Sequence, residues 1–215
     1  VPALKYYDVG SGAWVTLKGA KGDTGPQGPP APAVPLVTSL PGSPSDGQEV
    51  YYQATDGDGT SSVIWRLRYR AGSSQPYKWE FVGGGKLVVE RAVNIGAASG
   101  SAYTTYDTGP ALALPLAGVY DIEVYSQSAQ VENVGNQGWI SYQIGATAAV
   151  DTDGITTRAT ATAANDWHSL TMQRRKTITS PLTLTMQIRV NGGIFYPTGN
   201  GANPRGLRAT PVRVG

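Results

Sequence analysis

Apolar and polar residues alternate along most of this chain with a period of two, and no stretch carries a convincing 3.6-residue period. Val63, Trp65, Leu67 and Tyr69 alternate with Ile64, Arg66, Arg68 and Arg70, and Tyr77, Trp79 and Phe81 with Lys78 and Glu80. Tyr120, Ile122 and Val124 oppose Asp121 and Glu123, and the theme recurs at Ile140, Tyr142 and Ile144 and at Leu170 and Met172. The longest case is Leu182, Leu184, Met186, Ile188 and Val190, with Thr183, Thr185, Gln187 and Arg189 between them. Such alternation predicts antiparallel strands buried on one side. The segments around Trp65 and Trp79 should pair through a turn at Ala71-Gly72-Ser73-Ser74, bringing Trp65 or Tyr69 against Tyr77 or Trp79. Pro110 and Pro115 confine Ala111–Leu114 to a turn or short strand. Leu207–Val214 changes phase around Pro211, as an edge strand or a bulge does. About seven or eight strands between Gly, Asn and Thr turns make residues 86–215 a β-sandwich or jelly-roll-like domain, and the chain all-β.

The N-terminal part follows another rule. Lys5–Val9 and Ala13–Leu17 flank Gly10-Ser11-Gly12, which predicts a small hairpin. Three such hairpins about an axis would bury Tyr6, Trp14 and Leu17 together. Gly19–Pro30 then reads GAK GDT GPQ GPP, four unbroken Gly-X-Y triplets. That period is the signature of a collagen-like triple helix, in which only glycine fits at the axis, so Gly19, Gly22, Gly25 and Gly28 are structural positions in a homotrimer. The rod would be about 35 Å long, too short to hold three chains alone, so the flanking modules must do so. The expected organisation is a hairpin over 1–18, a rod over 19–30, a small antiparallel β module over 31–85 closed by a Gly83-Gly84-Gly85 hinge, and the sandwich over 86–215. A start at Val1, without methionine, suggests a piece of a longer product.

Composition narrows the chemistry. With 17 Lys and Arg against 15 Asp and Glu, the net charge is +2 and the basic residues are scattered, so nucleic acid is not an indicated partner. Cysteine is absent, which excludes disulfides, thiolate metal sites and a cysteine nucleophile. No apolar run approaches the roughly 18 residues of a membrane span. His168 is the only histidine and lacks a triad context. Asp56-Gly57-Asp58-Gly59 and Asp151-Thr152-Asp153-Gly154 place carboxylates in turns without a calcium-loop pattern. Asp121 and Glu123 share a polar strand face at about 7 Å, a spacing compatible with an inverting glycosidase and equally with a solvated strand. No cofactor, metal or catalytic residue is expected. The candidate contacts for a glycan or protein receptor are Tyr103, Tyr106, Trp167, Phe195 and Tyr196, the last two flanked by a polar loop from Asn191 to Asn203; the alternative is that these aromatics fill a seam between chains.

YYDVGSGAWVTLKG, GAKGDTGPQGPP and LVTSLPGSPSDGQEVYYQA with VIWRLRYRAGSSQPYKWEFVGGG together resemble the minor tail proteins, or tail fibres, of tailed phages that infect actinobacteria. The resemblance is strongest over 1–85 and extends through the terminal GLRATPVRVG. It implies a homotrimeric, non-enzymatic virion fibre on the phage surface, joined to other tail or baseplate proteins and contacting a host-surface glycan or protein. A head fibre or a purely structural spacer shares the same modules, and a cell-wall depolymerase is the remaining reading.

Overall fold

The computed structural model describes residues 4–16, 33–55, 62–91, 101–103, 110–131, 135–158, 168–196 and 204–215. The Gly-X-Y positions Gly19, Gly22, Gly25 and Gly28 lie outside them, as do Tyr106, Trp167, the side chain of Tyr196 and the Asp56–Gly59 turn. The chain divides into two compact units, Val1–Ala33 and Val34–Gly215.

In the first unit, β1 (Lys5–Asp8) and β2 (Ala13–Thr16) form the expected hairpin, antiparallel and two-stranded. Asp8 organises its turn by accepting hydrogen bonds from the Gly10 amide and the Ser11 hydroxyl. Register pairs Tyr7 with Trp14 and Tyr6 with Val15. Directly opposed residues share a face and neighbours alternate, so Tyr6 and Trp14, expected in one cluster, lie on opposite sides. Tyr7 is the partner of Trp14, their rings edge-to-face at 5.4 Å.

The second unit is built from strands and, among the described residues, contains no α-helix. Its strands are β3 (Leu36–Val37), β4 (Glu49–Thr55), β5 (Ser62–Tyr69), β6 (Trp79–Gly84), β7 (Leu87–Arg91), β8 (Ala111–Leu114), β9 (Gly118–Val131), β10 (Gln137–Ile144), β11 (Ile155–Arg158), β12 (His168–Ile178), β13 (Leu182–Val190), β14 (Phe195–Tyr196) and β15 (Arg205–Val214). Among the described residues one sheet has nine strands, in the order β12-β9-β15-β6-β5-β4-β3 with β14 also on β9 and β7 on β15; the other has four, β11-β10-β13-β8. From β8 to β10 and again from β11 to β13 the chain steps between the sheets. Inward residues of both sheets join one hydrophobic core, with Trp65, Tyr120, Ile122, Leu207 and Ala209 from the larger and Ile140, Tyr142, Leu184 and Ile188 from the smaller. This is consistent with a β-sandwich.

The alternation read from the sequence sets these faces. Along β9, Tyr120, Ile122 and Val124 are buried while Asp121 and Glu123 are half-buried on the outer side. A register shift opposite His168 and Leu170 then changes phase, so that Ala129 and Val131 point inward. The phase change at Pro211 is likewise a bulge, because the pairing with β9 skips between Pro211 and Arg213. It is not an edge. β15 is flanked by β9 on one side and by β7 and then β6 on the other.

That central position alters the module boundary drawn at 85/86. β6 and β7, on either side of it, border the same strand, and the larger sheet continues through. Of the three glycines, Gly84 and Gly85 are points of close approach, whereas a Cβ at Gly83 would meet nothing. A Cβ at Gly84, whose φ is +133°, would overlap the Ile64 carbonyl, and the Trp65 indole N–H donates to the Gly85 carbonyl at 3.0 Å. Trp65 is therefore committed to the core, stacked on Tyr52 at 5.8 Å. Tyr69 and Trp79 make the expected cross-strand contact, at 5.3 Å.

Candidate functional site

Of the residues that the sequence marks for receptor contact, Tyr103 is the one placed in a polar aromatic cluster. Trp139 on β10 stands directly opposite Arg189 on β13, and this register lays the guanidinium over the indole at 4.0 Å. Tyr103 brings a second ring to the same guanidinium at 5.2 Å. Asp151, in a single 3-10 turn at Asp151–Asp153, accepts the Tyr103 hydroxyl at 2.8 Å and pairs with Arg189 at 2.5 Å. Burial, then the hydrogen bond to Asp151, pushes the Tyr103 phenol well above its usual value, so it stays a neutral donor.

The cluster occupies the outer face of the four-stranded sheet, where the segment between β10 and β11 folds back. The Ser141 hydroxyl donates to the Val150 carbonyl at 2.9 Å, and the Gln187 amide group donates to the Gln143 side chain at 2.6 Å. Arg189 is thus held between two rings with its charge matched by Asp151, whose side chain remains 55% exposed. The arrangement offers a planar, neutral, aromatic and polar surface. It lacks the unmatched positive charge that an anion would require.

Phe195 is not at an exposed loop. It is fully buried on β14, opposite Val131 of β9, and its ring fills the space left by Gly138. A strand that docks on a sheet places alternate residues inward, and an unaccompanied phenylalanine is the side chain with most to gain there. Tyr196 pairs with Gln130 along β9. His168 lies at the β9 register shift with its Nε2 buried and unpaired among the described residues.

The paired carboxylates have partners of their own. Arg175 grips Asp121 with two hydrogen bonds, at 2.8 and 2.9 Å, and Arg208 reaches Glu123 at 3.0 Å. They belong to a wider pattern on the outer face of the nine-stranded sheet, in which adjacent strands carry opposite charge. Arg175 of β12 faces Asp121 of β9, Arg208 of β15 faces Glu123 of β9, Arg213 of β15 faces Glu80 of β6, and Arg66 and Arg68 of β5 face Glu49 of β4. Tyr125 joins by donating to Glu90 beneath the Arg208 guanidinium. The two carboxylates of the Asp151–Asp153 turn are likewise paired, Asp151 with Arg189 and Asp153 with Lys176 at 2.6 Å. The Arg174-Arg175-Lys176 run divides between faces: Arg175 points outward, while Arg174 donates to the Thr152 carbonyl and Lys176 reaches Asp153 on the other sheet's turn.

Two open grooves lie near the β5–β6 turn. One, of about 440 Å³, is lined by Leu40, Pro41, Pro44, Tyr69, Pro76 and Trp79. The other, of about 360 Å³, is lined by Asp46, Arg70, Ser73, Glu80 and Arg213, where Glu80 bridges both arginines. The sequence does not single out Trp139, Arg189 or these grooves. Trp139 and Arg189 meet through strand register, and the prolines converge from separate turns. Among the described residues no group of histidines, cysteines or carboxylates is arranged to hold a metal, and no helix is long and apolar enough to cross a membrane.

No protein-family model matches the chain, and no curated protein does. Solved structures overlap it weakly. The structure of the infectious bursal disease virus Gt strain overlaps with a TM-score of 0.35 at 8% identity, covering 69% of this chain and 41% of that one. The crystal structure of the infectious bursal disease virus VP2 subviral particle gives 0.33 at 13%, covering 71% and 43%. An isomalto-dextranase of Arthrobacter globiformis T6, complexed with panose, gives 0.29 at 16%, covering 77% and 24%. The chain spans less than half the length of each of these neighbours. Overlaps at this level carry no argument about fold or function.

Proposed function

We propose that this chain is one of three in a virion surface fibre of a tailed phage, a minor tail protein or tail fibre, with the β-sandwich meeting the host surface. The observation that carries the reading is the unbroken Gly-X-Y tract from Gly19 to Pro30. Glycine at every third position, with proline at X and Y, serves the crowded axis of a triple helix, and three chains are what that geometry needs. The strand-built second unit suits a rigid extracellular module, and the resemblance of the sequence to phage tail proteins supplies the virion context. The partners are then two further copies, other tail or baseplate proteins, and a cell-envelope glycan or protein.

A host ligand is one reading of the outer sheet faces. The second reading is a spacer fibre with no host ligand, and the cluster around Arg189 favours it, since both rings there are already engaged by the guanidinium. Binding of the full-length chain, verified as a trimer by sedimentation, to actinobacterial cells and wall glycans separates the two. Saturable binding supports the receptor role. Absence of binding to any cell or glycan by the verified trimer removes it and leaves the spacer.

A further inference from the structure

The N-terminal hairpin leaves its apolar side chains open. In the single chain Tyr7 is 49% and Trp14 65% exposed, and every residue of β2 is exposed. Its strands have four residues each, and an isolated two-stranded hairpin of that size is marginal in water. We infer that the Tyr7–Trp14 face is a clamp that packs against the same face of two further copies of this chain, closing the N-terminal end of the triple helix. The inference rests on the trimeric reading and adds to it the surface that holds the chains.

The tether is the first argument. Gly19, the first axial glycine, lies three residues beyond Thr16, a span of at most about 10 Å. Three chains wound on one axis therefore hold three hairpins together at an effective concentration in the millimolar range. A contact far too weak to associate free hairpins is then sufficient, and an aromatic pair supplies a large apolar area for it.

The choice of face is the second argument. Tyr7 and Trp14 form one contiguous aromatic plate. The opposite face pairs Tyr6 with the smaller Val15 and also carries Asp8, whose carboxylate is engaged in the turn, so the Tyr7–Trp14 face offers the larger apolar area, with Trp14 the most open ring of the hairpin. Lys5, opposite Thr16 at the open end of the aromatic face, has a stem long enough to carry its ammonium outward to solvent.

The chain has no cysteine, so single thiols report the geometry directly. In the full-length chain, with trimerisation verified by sedimentation, Lys5→Cys treated with a short bis-maleimide should form covalent dimers at least about tenfold faster than Tyr6→Cys, because the tether is common to both and only position 5 lies on the face that packs. Trp14→Ala should lower the thermal midpoint of the triple-helical circular dichroism signal, and Tyr6→Ala should leave it in place. A trimeric parent in which Tyr6→Cys cross-links as fast as Lys5→Cys, or in which Trp14→Ala leaves the midpoint unmoved, overturns the clamp and leaves the trimer standing. A monomeric parent overturns both.

Discussion

Gly138 shows how much one residue can decide. It faces the Phe195 ring so closely that a Cβ would overlap it. Gly138→Ala should destabilise the second unit by about 1–3 kcal/mol, the usual range for overpacking a filled core; an unchanged urea midpoint would show that β14 yields freely. Glu49 is the electrostatic counterpart. Hydrogen bonds from Arg66 and then Arg68 hold its carboxyl below the ordinary value of 4.5, and Arg70 does the same for Glu80. A carboxyl depressed on folding contributes stability that is present above its unfolded value and lost as pH falls through its folded one. The thermal midpoint should therefore fall as pH drops below 4.5, and Glu49→Gln should flatten that fall. Profiles that superimpose for parent and variant would assign the acid sensitivity to other groups. The glycine and the carboxylate are both plain in the sequence. Their partners are 57 and 17 to 19 positions away, given by the numbering of Phe195, Arg66 and Arg68, and only pairing brings them together.

At the scale of elements, the sandwich depends on what joins its sheets at the β12 edge. Lys176 of β12 pairs with Asp153, whose side chain is 8% exposed while that of the lysine is 29% exposed. Removing either partner should have unequal effects. Lys176→Met leaves a buried carboxylate without its cation and should cost about 3 kcal/mol, whereas Asp153→Asn leaves an ammonium that can turn to water and should cost less. Chemical denaturation of the two variants checks the order; equal losses would mean that the seam is held by packing alone. The alternation along β9, β13 and β15 reveals strands and their inner faces. It does not reveal that β15 lies at the centre of the larger sheet. A phase break at Pro211 looks the same in an edge strand and in a bulged central one, because proline lacks the amide that would tell them apart.

For the whole molecule, the proposed trimer assigns the symmetry to the Gly-X-Y tract and the hold to the β modules. Gly25→Ala should disrupt the triple helix locally, since a Cβ has no room at the axis, while the trimer persists. Sedimentation decides it: a monomeric variant of a trimeric parent would show that the rod itself assembles the protein.

The amino-acid sequence by itself determined the period of two that marks the strands, the hairpin ahead of the tract and the unbroken glycine period from Gly19 to Pro30, on which the trimeric proposal rests. Each is local, because side-chain direction and axial crowding depend on neighbours a few positions apart. Tertiary structure alone decided that Trp14 faces Tyr7, that Phe195 is core, that residues on both sides of Gly85 share one sheet, and that each carboxylate of the Asp121–Glu123 pair faces an arginine. Those outcomes follow from strand register, where a shift of one residue exchanges the two faces, and register is fixed by contacts between distant segments.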